Sequence, residues 1–359
     1  MSRVRALKQS DIPQIVELND KLFPSASGVS AERQARIFHE VCFASPWTDP
    51  EITSLVFEEE GGRISGFLGV IMRPMSYNGR RLRAAIFQHL MVDRSTLASL
   101  QLFRKLLEGP QDVSMGENAV EVVHQLWTRL GHPSSLLNSI YWRRFLRPAS
   151  VAARLLSKRR AMRALSPVIR PVCSAADRAL AHLSVNPLRM PAGSYASGDD
   201  EELTADVMLQ ALPSMMESCL LTPVYTQQSL AWLLSVLEGE RRNGVLQKKL
   251  VRTECGEIAG WYMYYLNHEG PSVVFQIAAQ EKTAPLVLDH LFAHAYRHGA
   301  SELTGRLEPR FMKTLREKRC YFMPGRNWML VHAKCPEYLH AIDAGRAFLS
   351  RLEGDLWVL

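Results

Sequence analysis

Apolar and polar positions follow two periods along this chain, and the period switches in a fixed order. Arg3–Ala6 alternates as a short strand. Ser10-Asp-Ile-Pro then opens a helix running to about residue 22, with a side-chain cap and a proline in its first turn. A second helix over residues 30–43 sets Ile37, Phe38, Val41 and Cys42 on one face. Residues 53–59 and 63–75 alternate as two strands joined by Gly61-Gly62, and Asn78-Gly79 turns the second strand into the run 84–92. That run, Ala-Ala-Ile-Phe-Gln-His-Leu-Met-Val, is apolar enough to be buried on both faces. It leads through a short polar turn into a helix whose apolar stripe ends at Leu107. A strand feeding a helix N-terminus leaves backbone N–H groups pointing outward, which makes an anion site.

After Gly109-Pro110 the pattern predicts a strand over 112–115, a helix over 117–130 stopped by Gly131-His-Pro133, and a closing strand over 134–145. The order then recurs: helices over 199–212 and 226–238, strands over 244–253, 257–266 and 272–279, a helix over 285–298, a strand over 302–307, a helix over 309–319 and a closing strand over 326–334. Ile64-Ser-Gly-Phe67 and Ile258-Ala-Gly-Trp261 occupy matching places in the two series, so the chain reads as a duplication. The expected division is a first domain over 1–148, a connector over 149–195 and a second domain over 196–359.

Composition adds a class and a charged segment. With 359 residues, 47% of them hydrophobic and 22% charged, the chain is globular and long enough for two cores. Its first residues carry no apolar run of signal-peptide length, and no run approaches a bilayer span. The six cysteines are scattered, with neither C-x-x-C nor zinc spacing, so reduced core thiols in a cytoplasmic protein are expected. The net charge of +7 is local: residues 143–189 hold eleven Arg and Lys against Asp177, a balance of +10 that leaves −3 for the rest. This segment reads as a solvated helical connector, as a basic amphipathic face for an anionic membrane, or as an RNA contact. Nucleic acid is the least favoured partner, because no aromatic residues interleave with the arginines.

The element order, the Ile-x-Gly-Phe/Trp strand and the strand–turn–helix together resemble the GNAT superfamily of N-acetyltransferases, in a tandem-domain bacterial form. The resemblance implies an α/β (α+β) chain of two GNAT-like domains, each a mixed, mostly antiparallel sheet flanked by helices, joined by the basic helical connector. It implies acetyl-CoA, or another acyl-CoA, as co-substrate and no metal. Leu90, Met91 and Val92 would pair with the pantetheine arm. Arg94, Ser95, Thr96, Leu97, Ala98 and Ser99 would form the pyrophosphate loop, with Leu97 and Ser99 where glycines are the family's pattern. In the second copy the matching turn is Gln280-Glu-Lys-Thr-Ala284, which lacks glycine and carries an acid, so a structural or substrate-holding role is expected there.

Transfer to an amine needs a base for the ammonium proton. His89 inside the central strand is one candidate, with a core histidine as the alternative. Glu117 is the other, with a charge at the start of the next helix as the alternative. Trp127 stands where related enzymes often place a tyrosine acid. Tyr141 and Trp142 are candidates for lining an acceptor pocket. His290, His294 and His298 recur every four residues, which is read as a polar helix face. No P-loop, H-E-x-x-H or G-x-S-x-G motif occurs. The leading expectation is an acyl-CoA-dependent N-acyltransferase acting on a small-molecule amine such as an envelope or polysaccharide precursor. A non-catalytic binding module working through the connector and an aminoacyl-tRNA-using transferase are the rivals. The expected location is the cytoplasm, with the connector available to the inner membrane surface.

Overall fold

The computed structural model describes residues 2–24, 29–93, 96–157, 172–173, 175–177, 179, 201–239 and 243–352. Most of the basic segment, together with Arg94 and Ser95, lies outside these. The described chain forms two compact units, each assembled from separate stretches. One comprises Met1–Leu136, Cys219–Leu233 and Arg326–Leu359, the other Leu137–Ser218 and Leu234–Gly325.

The first unit is built on a sheet of eight strands. Strands β1 (Arg3–Ala6), β2 (Leu55–Glu58), β3 (Ile64–Tyr77) and β4 (Arg80–Val92) are antiparallel neighbours. Strand β5 (Val113–Ala119) lies parallel to β4. Parallel neighbours need a crossover, and α3 (Thr96–Leu107) supplies it. Helices α1 (Ile12–Leu22) and α2 (Ala31–Phe43) cover one face, where the Phe38 ring meets Phe67 edge-on. Because successive strand residues point to opposite faces, Leu68 and Val70 turn the other way, onto Leu102 and Phe103 of α3. Both faces are therefore dry, which is why β3 and β4 read as nearly continuous apolar runs. Helix α4 (Glu121–Arg129) follows β5, and β6 (Ser134–Ser135) ends this stretch.

The second unit has a six-stranded sheet in which β9 (Val245–Arg252), β10 (Ile258–Leu266) and β11 (Ser272–Ala279) are antiparallel. Helix α8 (Ala284–Arg297) crosses over to β12 (Glu302–Arg306), again parallel to its predecessor. Helices α5 (Pro148–Ser157), α6 (Ala205–Met215), α9 (Met312–Glu317) and the later turns of α7 (Gln227–Gly239) complete it. Each unit thus holds one parallel pair in an otherwise antiparallel sheet.

The closing strands depart from the expected division. Strand β7 (Ile140–Phe145), read above as closing the first half, pairs with β12 and with β13 (Tyr321–Pro324) in the second sheet. Strand β14 (Trp328–Ala333), read as closing the second half, pairs with β5 and β6 in the first. The short strand β8 (Leu221–Pro223) also joins the first sheet, on β3, and α10 (Pro336–Asp343) packs under it. Side-chain fit shows why β7 belongs where it does. A Cβ at Gly305 would lie 2.9 Å from the Trp142 ring, so the glycine of β12 makes room for that indole.

Candidate functional site at the parting of two parallel strands

The parallel ladder between β4 and β5 runs from Ala84–Val113 to Phe87–Gly116 and stops there. Beyond it each strand carries a bulge against its outer neighbour. On β4 three residue steps (Gln88 to Met91) face two on β3, and His89 sits at φ 55°. On β5 three steps (Gly116 to Ala119) face two on β14, and Asn118 sits at φ 58°. A bulge bends its strand, and left-handed backbone outside glycine costs roughly 1–3 kcal/mol, a strain that gathers at functional sites. Two such residues on the facing strands, at the same level, spread β4 from β5. The gap is a cleft of about 280 Å³, floored by Leu68, Phe87, Phe103 and Val123. Gln88, His89, Glu117 and Asn118 supply its polar groups, and no lysine or arginine lines it among the described residues. Phe87 can come this close to β5 only because residue 116 is glycine; a Cβ there would lie 2.1 Å from the ring.

The residues singled out from the sequence fall into three groups. His89, Leu90 and Glu117 line this cleft together. Met91 is buried on the far side of β4, and Val92 packs beside Leu102, Phe103 and their neighbours. The described part of the loop is the first turn of α3, where Leu97 points outward at 60% exposure while Ala98 and Ser99 face inward. The bulk at Leu97 therefore projects away from the inward face of the turn. Glu117 is not the helix-start charge offered as its alternative: it belongs to β5, which runs on to Ala119, and Glu121 takes the place in the first turn of α4. Tyr141 and Trp142 are in β7 of the second unit, and neither lines the cleft. Trp142 is core, and Trp127 is core as well, donating its Nε1–H to the Pro133 carbonyl and packing on Phe87 and Phe103.

No family model matches the sequence, and no curated protein matches it. Solved structures do match. An N-myristoyltransferase from Saccharomyces cerevisiae, with bound myristoyl-CoA, aligns at a TM-score of 0.53 and 11% identity, over 92% of this chain and 77% of that one. A probable N-acyltransferase from Enterococcus faecalis aligns at 0.55 and 9% identity, over 93% and 73%. A GCN5-related N-acetyltransferase from Kribbella flavida aligns at 0.52 and 11% identity, over 93% and 71%. The chain has the fold of these structures, and its second half holds a parting of its own.

The second GNAT-like half closes its own parting. Strands β11 and β12 pair only from Ser272–Leu303 to Val274–Gly305. Past that point the Arg310 guanidinium donates to the Ala279 carbonyl at 3.1 Å and the Met215 carbonyl at 2.9 Å, and pairs with Glu308 at 2.9 Å. Burial pushes the Glu308 carboxyl upward, and Arg310 and Arg306 pull it partly back. An internal ion pair thus holds the Met215 and Ala279 carbonyls beside the end of this ladder. The histidines of α8 differ from the polar face expected of them. His290 and His294 are buried, meeting the hydroxyls of Tyr262 and Tyr264 at 2.9 and 2.8 Å, and only His298 is exposed. Among the described residues no group of three or more His, Cys, Asp or Glu is arranged to hold a metal ion, and no helix is long and apolar enough to cross a membrane.

Two contributors escaped the sequence reading. Asn118 could have been found as an asparagine inside an apolar strand, since asparagine tolerates left-handed backbone. Asn19 meets His89 Nε2 at 3.0 Å and occupies a position on the buried face of α1 where an apolar residue is the norm. A second cavity of about 330 Å³ lies farther along β3, between Val70–Met72 and the end of α2. Cys42 lines it, and burial pushes that thiol up to about 12.

Proposed function

We propose that the first half is an acyl-CoA-dependent N-acyltransferase whose donor lies in the parting of β4 and β5. The observation that carries this reading is the paired bulge at His89 and Asn118, which holds the two parallel strands apart beside the N-terminus of α3. The backbone of Leu90–Val92 extends past the end of its ladder with β5, so a pantetheine amide can pair there as a further strand would. The first-turn N–H groups of α3, with Arg94 ahead of them, take the pyrophosphate. The names of the structural neighbours, N-myristoyl- and N-acetyltransferases among them, favour an amine acceptor. Chemically, the amine nitrogen attacks the thioester carbonyl, the new C–N bond forms as the C–S bond breaks, and the sulfur leaves as the CoA thiol, taking the second proton that the nitrogen sheds on becoming an amide. His89 accepts the proton that the ammonium must lose first. Glu117, across the cleft, holds the acceptor's charge before that loss.

Acetyl-CoA is the first donor to test. A longer acyl-CoA is the comparison, because Leu68, Phe87, Phe103 and Val123 form an apolar floor. Calorimetry of the full chain with both donors is expected to give saturable heat, abolished by Arg94→Glu, which sets a carboxylate against the pyrophosphate. No heat with either donor overturns the reading.

A further inference from the structure

Asn19, Gln34, Asp20 and His89 form a line of hydrogen bonds that carries directional information. Asn19 belongs to α1, where Ile12, Ile15 and Val16 mark the buried face and Asn19 continues it; Gln34 holds the same place on α2, ahead of Phe38 and Val41. Both amides are 2% exposed, so each polar atom must find a partner inside the protein. Gln34 Nε2 lies 2.7 Å from Asp20 Oδ1 and 3.2 Å from the Val29 carbonyl, two groups that only accept. The nitrogen of Gln34 therefore has to be there, and its Oε1 is left to accept from Asn19 Nδ2 at 2.8 Å. Asn19 Oδ1 is then an acceptor, and the atom it faces at 3.0 Å is His89 Nε2. Of the two neutral tautomers of His89, only the one with its proton on Nε2 satisfies the whole line.

We propose that this amide relay fixes His89 as its Nε2–H tautomer, so that Nδ1 is the nitrogen that takes the proton from the acceptor ammonium. Asn19 is a positioning residue, and Gln34 and Asp20 orient it. The second clause rests on the acyltransferase reading; the tautomer does not. In the proton step the Nδ1 lone pair binds the proton, the ammonium becomes a neutral amine, and the imidazolium keeps its Nε2–H on Asn19 throughout. The ring is held for this by Phe23, Phe38 and Phe67, with centroids 5.8, 5.8 and 6.4 Å away. Glu117 is the other titratable side chain among the described residues lining the cleft.

The test is nitrogen NMR on the intact chain labelled at histidine, with His89 assigned from His89→Gln. The expected spectrum has a protonated Nε2 and an unprotonated Nδ1 at neutral pH. Asn19→Leu, close in size but unable to accept, should mix the tautomers, whereas Asn19→Asp should keep the tautomer and move the His89 titration to higher pH. Where turnover is measured, Asn19→Leu should lower kcat by about tenfold or more with KM little changed. Asn19→Asp should restore it, with the acid limb of the pH profile displaced upward. A wild-type His89 protonated on Nδ1, or a tautomer indifferent to Asn19→Leu, overturns the relay. A correct tautomer in a chain that binds no acyl-CoA instead overturns the acyltransferase reading and leaves the relay intact.

Discussion

Replacing Gly116 by alanine should destabilise the first unit by driving a methyl group into a ring that has nowhere to go. Gly116 is the last residue of β5 still paired with β4, opposite Phe87. A Cβ built there lies 2.1, 2.5 and 2.7 Å from three atoms of the Phe87 ring, whereas carbon atoms in contact settle at about 3.5–4.0 Å. The ring must therefore retreat by roughly 1.4 Å or β5 must yield. Retreat is blocked, because Phe87 is only 2% exposed and is held by Phe103 at 5.7 Å and Trp127 at 5.1 Å between centroids. Overpacking of this kind costs about 1–3 kcal/mol. For a unit of this size that lowers Tm by roughly 2–12 °C, read by tryptophan fluorescence, with Trp127 beside the clash as reporter. Phe87 also floors the cleft, so donor affinity should fall with stability. The decisive control is a double-mutant cycle with Phe87→Leu, which removes the ring edge and should recover about 1 kcal/mol or more of the loss. An alanine that leaves Tm unchanged, or a loss that Phe87→Leu does not relieve, refutes the account of this position.

Further outcomes concern other parts of the chain. His132 and His332 pack edge-to-face at 4.7 Å, and burial lowers both below the ordinary 6.5, with each other's charge adding to the effect at His332. Their unfolded forms bind protons first, so the folded state should be fully stable above about pH 6.5 and lose stability as pH falls below it; urea titrations of His332→Gln should show a shallower decline. Cys42, with its thiol pushed up to about 12, should alkylate more than about 100-fold more slowly than exposed Cys255 at pH 8, as read by mass spectrometry of the two peptides. Because Arg310 and Glu308 close the second parting, donor titrations should end at one acyl-CoA per chain, and a stoichiometry of two contradicts that closure.

Much of the fold is legible in the chain because its signals are local. The Gly61-Gly62 and Asn78-Gly79 turns are real, each with left-handed backbone, and the run 84–92 followed by an apolar-striped helix is the crossover on which the parallel pair depends. What escaped is what local pattern does not encode. The alternation of residues 140–145 marks a strand but not its partner, so its place beside β12 follows from the fit of Trp142 over Gly305. Glu117, a good helix former, read as the start of a helix, yet the bulge at Asn118 keeps the chain in β5 for two more residues. The histidines of α8 read as solvated until Tyr262 and Tyr264, distant in sequence, supplied hydroxyls within the core. Asn19 and Gln34 left a usable trace: polar residues at apolar positions of two neighbouring helices, each at the spacing of the buried face.

The central claim is that an acyl-CoA lies along β4 where β5 leaves it. Hydrogen exchange of the full chain with and without acetyl-CoA, resolved by mass spectrometry, tests this at both partings in one experiment. The expected result is slower exchange at residues 88–92 and in the first turn of α3, with no change at 276–283. Unchanged exchange at 88–92, or protection confined to 276–283, contradicts it.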